Sequence, residues 1–153
     1  MSGLDLSALP PSALREVLPS FLASFIQGPA SAANAERVRT LVATWSDETC
    51  AGVLTSLGAQ EAGHGVLLAN PACRELARVW SRDVVLTPTL SGVEHLQKAV
   101  DAGPTVVLGN HLSYFDTSAT DCTLAWAGHA DLADRLVAAA GPKVYEDPFR
   151  RIA

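Results

Sequence analysis

The stretch Thr105-Val106-Val107-Leu108-Gly109-Asn110-His111-Leu112-Ser113-Tyr114-Phe115-Asp116 decides how the chain is read. Its first four residues are apolar in character without alternation, the pattern of a strand covered on both faces. A glycine follows, then a histidine and an aspartate. In open α/β sheets ligands bind beyond the carboxyl ends of strands, so His111 stands where chemistry is expected. His111 and Asp116 are five positions apart. On a strand that spacing puts two side chains on opposite faces, and on a helix it turns them about 140° apart. They meet only if the chain bends between them, and a strand-to-helix turn supplies the bend. The spacing predicts a helix over 117–127.

Outward from this stretch, the pattern continues in both directions. Residues 136–140 read as a second strand, closed by Gly141-Pro142. Upstream, Val84-Val85-Leu86 reads as a short strand. Ser91-Gly92-Val93-Glu94 matches a capping box, opening a helix with Val93, Leu96 and Val100 on one face. That helix ends near Ala102-Gly103-Pro104. Strands and helices in this order predict an α/β layer with parallel strands.

The first eighty residues read differently. Pro10-Pro11-Ser12 opens a helix with Leu14, Leu18, Phe21, Leu22, Phe25 and Ile26 at helical spacing, bent at Pro19. Ser31 is placed to cap a second helix whose Val38, Leu41, Val42 and Trp45 share a face. Ser46-Asp47 starts a third. Asn70-Pro71 starts a fourth, which buries Leu76, Val79 and Trp80 and exposes Arg74, Glu75, Arg78 and Arg82. Gly63-His64-Gly65 reads as a loop, and Trp45, Trp80 and Trp126 as core. The fold class is therefore α/β: a helical domain over 1–82, then 83–153 as the start of an α/β domain.

Composition limits the function. Of 153 residues, 48% are apolar and 18% charged, ample for a core and far from a disordered chain. The net charge of −5 argues against nucleic acid as a partner, which needs a basic face. No charged leader suits a secretory signal, and 17–35 is too interrupted to span a bilayer. Cys50, Cys73 and Cys122 are widely spaced and fit reduced thiols. No Cys/His pattern suggests a metal, and no cofactor is expected.

The His/Asp pair points to proton transfer. Neutral imidazole, with a reference pKa of about 6.5, accepts a proton near neutrality. A neighbouring carboxylate fixes its tautomer and stabilises the imidazolium. Such a base is worth about 10² to 10⁴ in rate. A hydroxyl attacking an acyl carbonyl gains from losing its proton, so the pair suits acyl transfer to an alcohol. Asp116 also suits the cap of the helix after it, a role compatible with orienting His111. Asn110 suits an unusual turn conformation. His64, His95 and His129 have no partner spacing and read as loop or surface residues.

Asn110-His111-x4-Asp116 after an apolar strand resembles the first motif of the glycerolipid acyltransferases. The later run Val137-Ala138-Ala139-Ala140-Gly141-Pro142-Lys143-Val144-Tyr145-Glu146-Asp147-Pro148-Phe149 looks most like the soluble, plastid-type glycerol-3-phosphate acyltransferases. The resemblance covers 105–153, and those enzymes also carry a helical domain ahead of the catalytic one. It implies His111 as general base and Asp116 as its orienting acid. It implies direct transfer of a fatty acyl group from acyl-CoA or acyl carrier protein to glycerol 3-phosphate or a lysophospholipid such as lysophosphatidate. Phospholipid synthesis in the cytoplasm, with peripheral contact at a membrane, is the matching setting. The family's later Arg-bearing and Gly-rich motifs are not found, so the chain is expected to be the front part of such an enzyme, inactive alone. Lys143, Arg150 and Arg151 are candidates to attract a phosphate, or else a solvated basic cluster. The alternative from another class is a non-catalytic module that binds acyl chains or a partner. A hydrolase with Ser113 as nucleophile is a further rival, but it lacks the G-x-S-x-G elbow.

Overall fold

The computed structural model describes residues 9–58, 69–110, 112–113 and 115–139. Among them the chain is helical: α1 (Pro11–Ala23), α2 (Ala30–Ala43), α3 (Asp47–Gly58), α4 (Pro71–Trp80), a 3-10 turn (Ser81–Asp83), α5 (Val93–Ala102), α6 (Asp116–Trp126) and α7 (Ala130–Asp134).

Local chemistry explains most of these boundaries. Pro11 opens α1, where the missing N–H costs nothing, and the helix runs on through a buried Pro19. The Ser46 hydroxyl accepts the Thr49 N–H at 3.1 Å, and Asp47 and Glu48 sit favourably in the first turn of α3. Asn70 caps α4 by accepting from Ala72 N at 2.9 Å and Cys73 N at 3.4 Å. Two expected caps fail. Ser31 lies inside α2, and its hydroxyl donates to the Ala23 carbonyl at 2.9 Å, tying α2 back to α1. Ser91 does not cap α5 either. The cap is Gly92, at φ 73°, so Glu94 falls one position too early to close the box.

The core lies among α1, α2 and α3. Leu14, Leu18 and Leu22 of α1 meet Val38 and Val42 of α2, Trp45, and Cys50, Val53 and Leu54 of α3. Each such Leu or Val contributes about 1.5–3 kcal/mol when fully buried. Leu76 and Val79 of α4 pack on this cluster half-buried. Directed bonds fix the angles between helices. Arg15 donates to the Trp45 carbonyl at 3.1 and 2.8 Å and to Asp47 at 2.7 Å. The fully buried Asn34 amide donates to the Trp80 carbonyl at 2.8 Å and to Asp83 at 2.7 Å, and Arg37 pairs with the same Asp83.

α6 docks on α4, across the boundary expected at residue 82. Asp121 accepts from Arg78 Nε at 2.7 Å, Arg78 Nη2 at 3.1 Å and Arg74 Nη1 at 3.2 Å. Asp134 of α7 adds a bond from Arg78 at 2.8 Å. Arg74 and Arg78 were expected to be exposed. They are largely covered, because α6 and α7 bring Asp121 and Asp134 over them from more than forty positions away in sequence. Trp126 is half-buried rather than core, with the Arg82 guanidinium 5.2 Å above its ring.

The expected strands do not form among the described residues. Residues 84–86, 105–108 and 136–139 have no regular secondary structure. A strand exists only when its backbone pairs, and a short apolar run carries no periodicity that guarantees a partner. The apolar side chains there are exposed: Val106 84%, Leu108 90% and Val137 60%. No described helix is long and apolar enough to cross a membrane. The three cysteines are free thiols.

Candidate active site

The turn that opens α6 is built around one carboxylate. Asp116 is the first residue of the helix. Its Oδ2 reaches back and accepts the Leu112 N–H at 2.7 Å and the Ser113 N–H at 3.0 Å. The Ser113 hydroxyl oxygen accepts the Phe115 N–H at 3.1 Å, and the Ser113 carbonyl accepts the Asp116 N–H at 3.1 Å. Four bonds thus tie Leu112, Ser113, Phe115 and Asp116 into one turn at the head of α6. A negative side chain in the first turn also complements the helix dipole.

Asp116 therefore does not cap α6 in the ordinary way. The cap position belongs to Phe115, which makes no side-chain cap bond. Asp116 instead acts as a bracket for the residues before it. Ser113 uses its hydroxyl to hold the same turn. Asn110 is exposed and does not adopt a left-handed conformation, so that role is not needed.

Other sequence candidates fall elsewhere. His111, Tyr114, Lys143, Arg150 and Arg151 lie outside the described residues, as does His64. His95 is exposed, and His129 stands at the head of α7, half-buried. No group of His, Cys, Asp and Glu suited to a metal occurs among the described residues. An open groove of about 590 Å³ runs between α2 and α4, beside Arg37, Leu41, Val79 and Arg82.

One contact at the turn was illegible in the sequence. The Trp80 ring meets the Phe115 ring edge to face, with centroids 5.9 Å apart and planes at 78°. Trp80 is itself pinned by its indole N–H, which donates to the Leu22 carbonyl at 3.0 Å. The turn is thereby joined to the helical core. Nothing in the spacing of Trp80 and Phe115 signals this pairing.

No family model, curated protein or solved structure matches the chain.

Proposed function

We propose that the protein is an O-acyltransferase of the glycerolipid type, with His111 as general base and Asp116 as the acid that orients it. On this reading α6 and the turn before it belong to the catalytic part of the protein. The single observation behind the assignment is the Asp116 bracket. Its carboxylate oxygen lies 2.7 Å from the Leu112 nitrogen, the atom bonded to the carbonyl carbon of His111. A carboxylate held at the turn directly after His111 supports pairing the two in one dyad.

In the proposed reaction the His111 imidazole takes the proton of the acceptor hydroxyl. The oxygen attacks the carbonyl carbon of the acyl thioester, and the carbon–sulfur bond breaks. The imidazolium then returns its proton to the departing thiolate. An ester and a free thiol result, with no acyl-enzyme and no metal needed. The donor class is acyl-CoA or acyl carrier protein, and the acceptor class is glycerol 3-phosphate or a lysophospholipid. Lys143, Arg150 and Arg151 are the proposed phosphate contacts.

The test is acyl transfer by the whole gene product after His111→Ala. Loss of about 10² or more in kcat is expected; retained activity removes His111 from the mechanism. A second reading draws on the exposed apolar residues Val106, Leu108 and Leu112. They favour a non-catalytic module that holds an acyl chain or a partner. Acyl-CoA binding without turnover, unchanged by Asp116→Asn, would select it.

A further inference from the structure

Trp80 ends α4 and is held from two sides. Its carbonyl accepts the amide of Asn34, which is fully buried, at 2.8 Å. Its indole N–H donates to the Leu22 carbonyl at 3.0 Å. Two helices of the core, α1 and α2, thus set where this ring stands. Its edge contact then falls on Phe115, the residue before Asp116 and the one whose N–H is fixed by the Ser113 hydroxyl. The body of α6 has separate anchors in the Asp121 ion pairs and in Arg82 over Trp126. Trp80 reaches past those anchors to the turn itself.

We propose that Trp80 is a positioning residue: it registers the Asp116 turn on the helical core and so aims the carboxylate. Its consequence for catalysis rests on the reading of His111 and Asp116 as a dyad, while the packing does not. Aromatic pairs prefer this edge-to-face geometry because the positive ring edge meets the negative ring face. Leucine supplies bulk but no such direction, whereas phenylalanine keeps one aromatic ring while losing the second ring and the indole N–H.

The experiment is amide hydrogen exchange by NMR on the whole chain. The reporters are the Leu112 and Ser113 amides that Asp116 holds, with the Leu18 and Val53 amides as core references. Trp80→Leu and Phe115→Leu are each expected to speed exchange at Leu112 and Ser113 by roughly three- to tenfold. Leu18 and Val53 stay unchanged, and Trp80→Phe, which keeps an aromatic ring, speeds exchange less than Trp80→Leu does. If Trp80→Leu also loosens the core references, Phe115→Leu decides, since Phe115 lies outside the core cluster. Unchanged exchange at Leu112 and Ser113 in Phe115→Leu overturns the proposal.

Turnover by the whole gene product separates this inference from the functional one. With both correct, Trp80→Leu lowers kcat while the KM for the acyl donor holds, and Trp80→Phe restores part of kcat. Exchange that responds in a protein without acyl transfer keeps the positioning role and ends the acyltransferase reading. Transfer that is intact in Trp80→Leu, with exchange unmoved, does the reverse.

Discussion

Replacing Asp121 with asparagine keeps the shape of the α4–α6 contact and removes its charge. Asp121 is 14% exposed, and Arg74 and Arg78 are 16% and 17% exposed. Removing one partner of a fully buried pair costs about 3–5 kcal/mol, because a charge is left uncompensated. Two features lower that figure here. The guanidiniums keep some contact with water, and Asp134 still stands 2.8 Å from Arg78 and 3.7 Å from Arg74. Asp134 is itself 59% exposed, so its compensation is screened and small. The expected loss is about 2–3 kcal/mol, a large part of a domain stability of about 5–15 kcal/mol. At roughly 2–4 °C per kcal/mol for a chain of this size, Tm should fall by about 5–10 °C. Urea unfolding followed by tryptophan fluorescence measures it as a lower midpoint at constant slope. Asp121→Asn and Arg78→Met should together cost less than the sum of the two, since they break one shared interaction. A loss under about 0.5 kcal/mol for Asp121→Asn would show that the network behaves as surface ion pairs do, and would refute the docking energetics argued here.

Three further outcomes follow from the same structure. Burial alone would raise the Asp83 carboxyl, but the Asn34 amide and the Arg37 guanidinium outweigh it and hold the group below its ordinary value. A depressed native pKa gives stability that is present above the unfolded value, about 3.9, and is lost as pH falls through the lower native value. Acid titration of unfolding should therefore lose part of its low-pH limb in Asp83→Asn, and an unchanged limb would count against the pairing. Burial pushes the Cys73 thiol up to about 11, so at pH 8 it should alkylate with iodoacetamide far more slowly than a free thiol; an equal rate would contradict its burial. Val106, Val107 and Leu108 are exposed and uncharged, a template for intermolecular strand pairing. Val107→Lys should reduce self-association in light scattering, and a wild-type chain that stays a monomer at high concentration would oppose the idea.

The helical half was legible because its signals are local. Asn70-Pro71 needs only neighbouring amides to cap a helix, and Leu14, Leu18 and Leu22 recur at the helical period whatever lies around them. Arg74 and Arg78 were misread because a covered cation looks, in sequence, like a solvated one until its distant carboxylates are known. The strand readings at 84–86 and 105–108 failed among the described residues for a related reason. Strand formation depends on a pairing partner, and a four-residue apolar run does not name one. At the candidate site, the sequence placed the start of a helix at Thr117, and α6 begins at Asp116. The backward reach of Asp116 to Leu112 and Ser113 was not legible, because an aspartate at a helix start ordinarily accepts from the amides ahead of it. The clamp of Trp80 on Phe115 joins residues that no local rule relates.

The most direct test of the central claim is the pH dependence of acyl transfer from an acyl-CoA to glycerol 3-phosphate by the whole gene product, with the ester detected by mass spectrometry. The account predicts turnover with an acidic limb near the pKa of imidazole, about 6.5. It further predicts that His111→Ala abolishes turnover and that Asp116→Asn lowers it sharply. Acyl-CoA binding without turnover, or turnover that survives both substitutions, would contradict it.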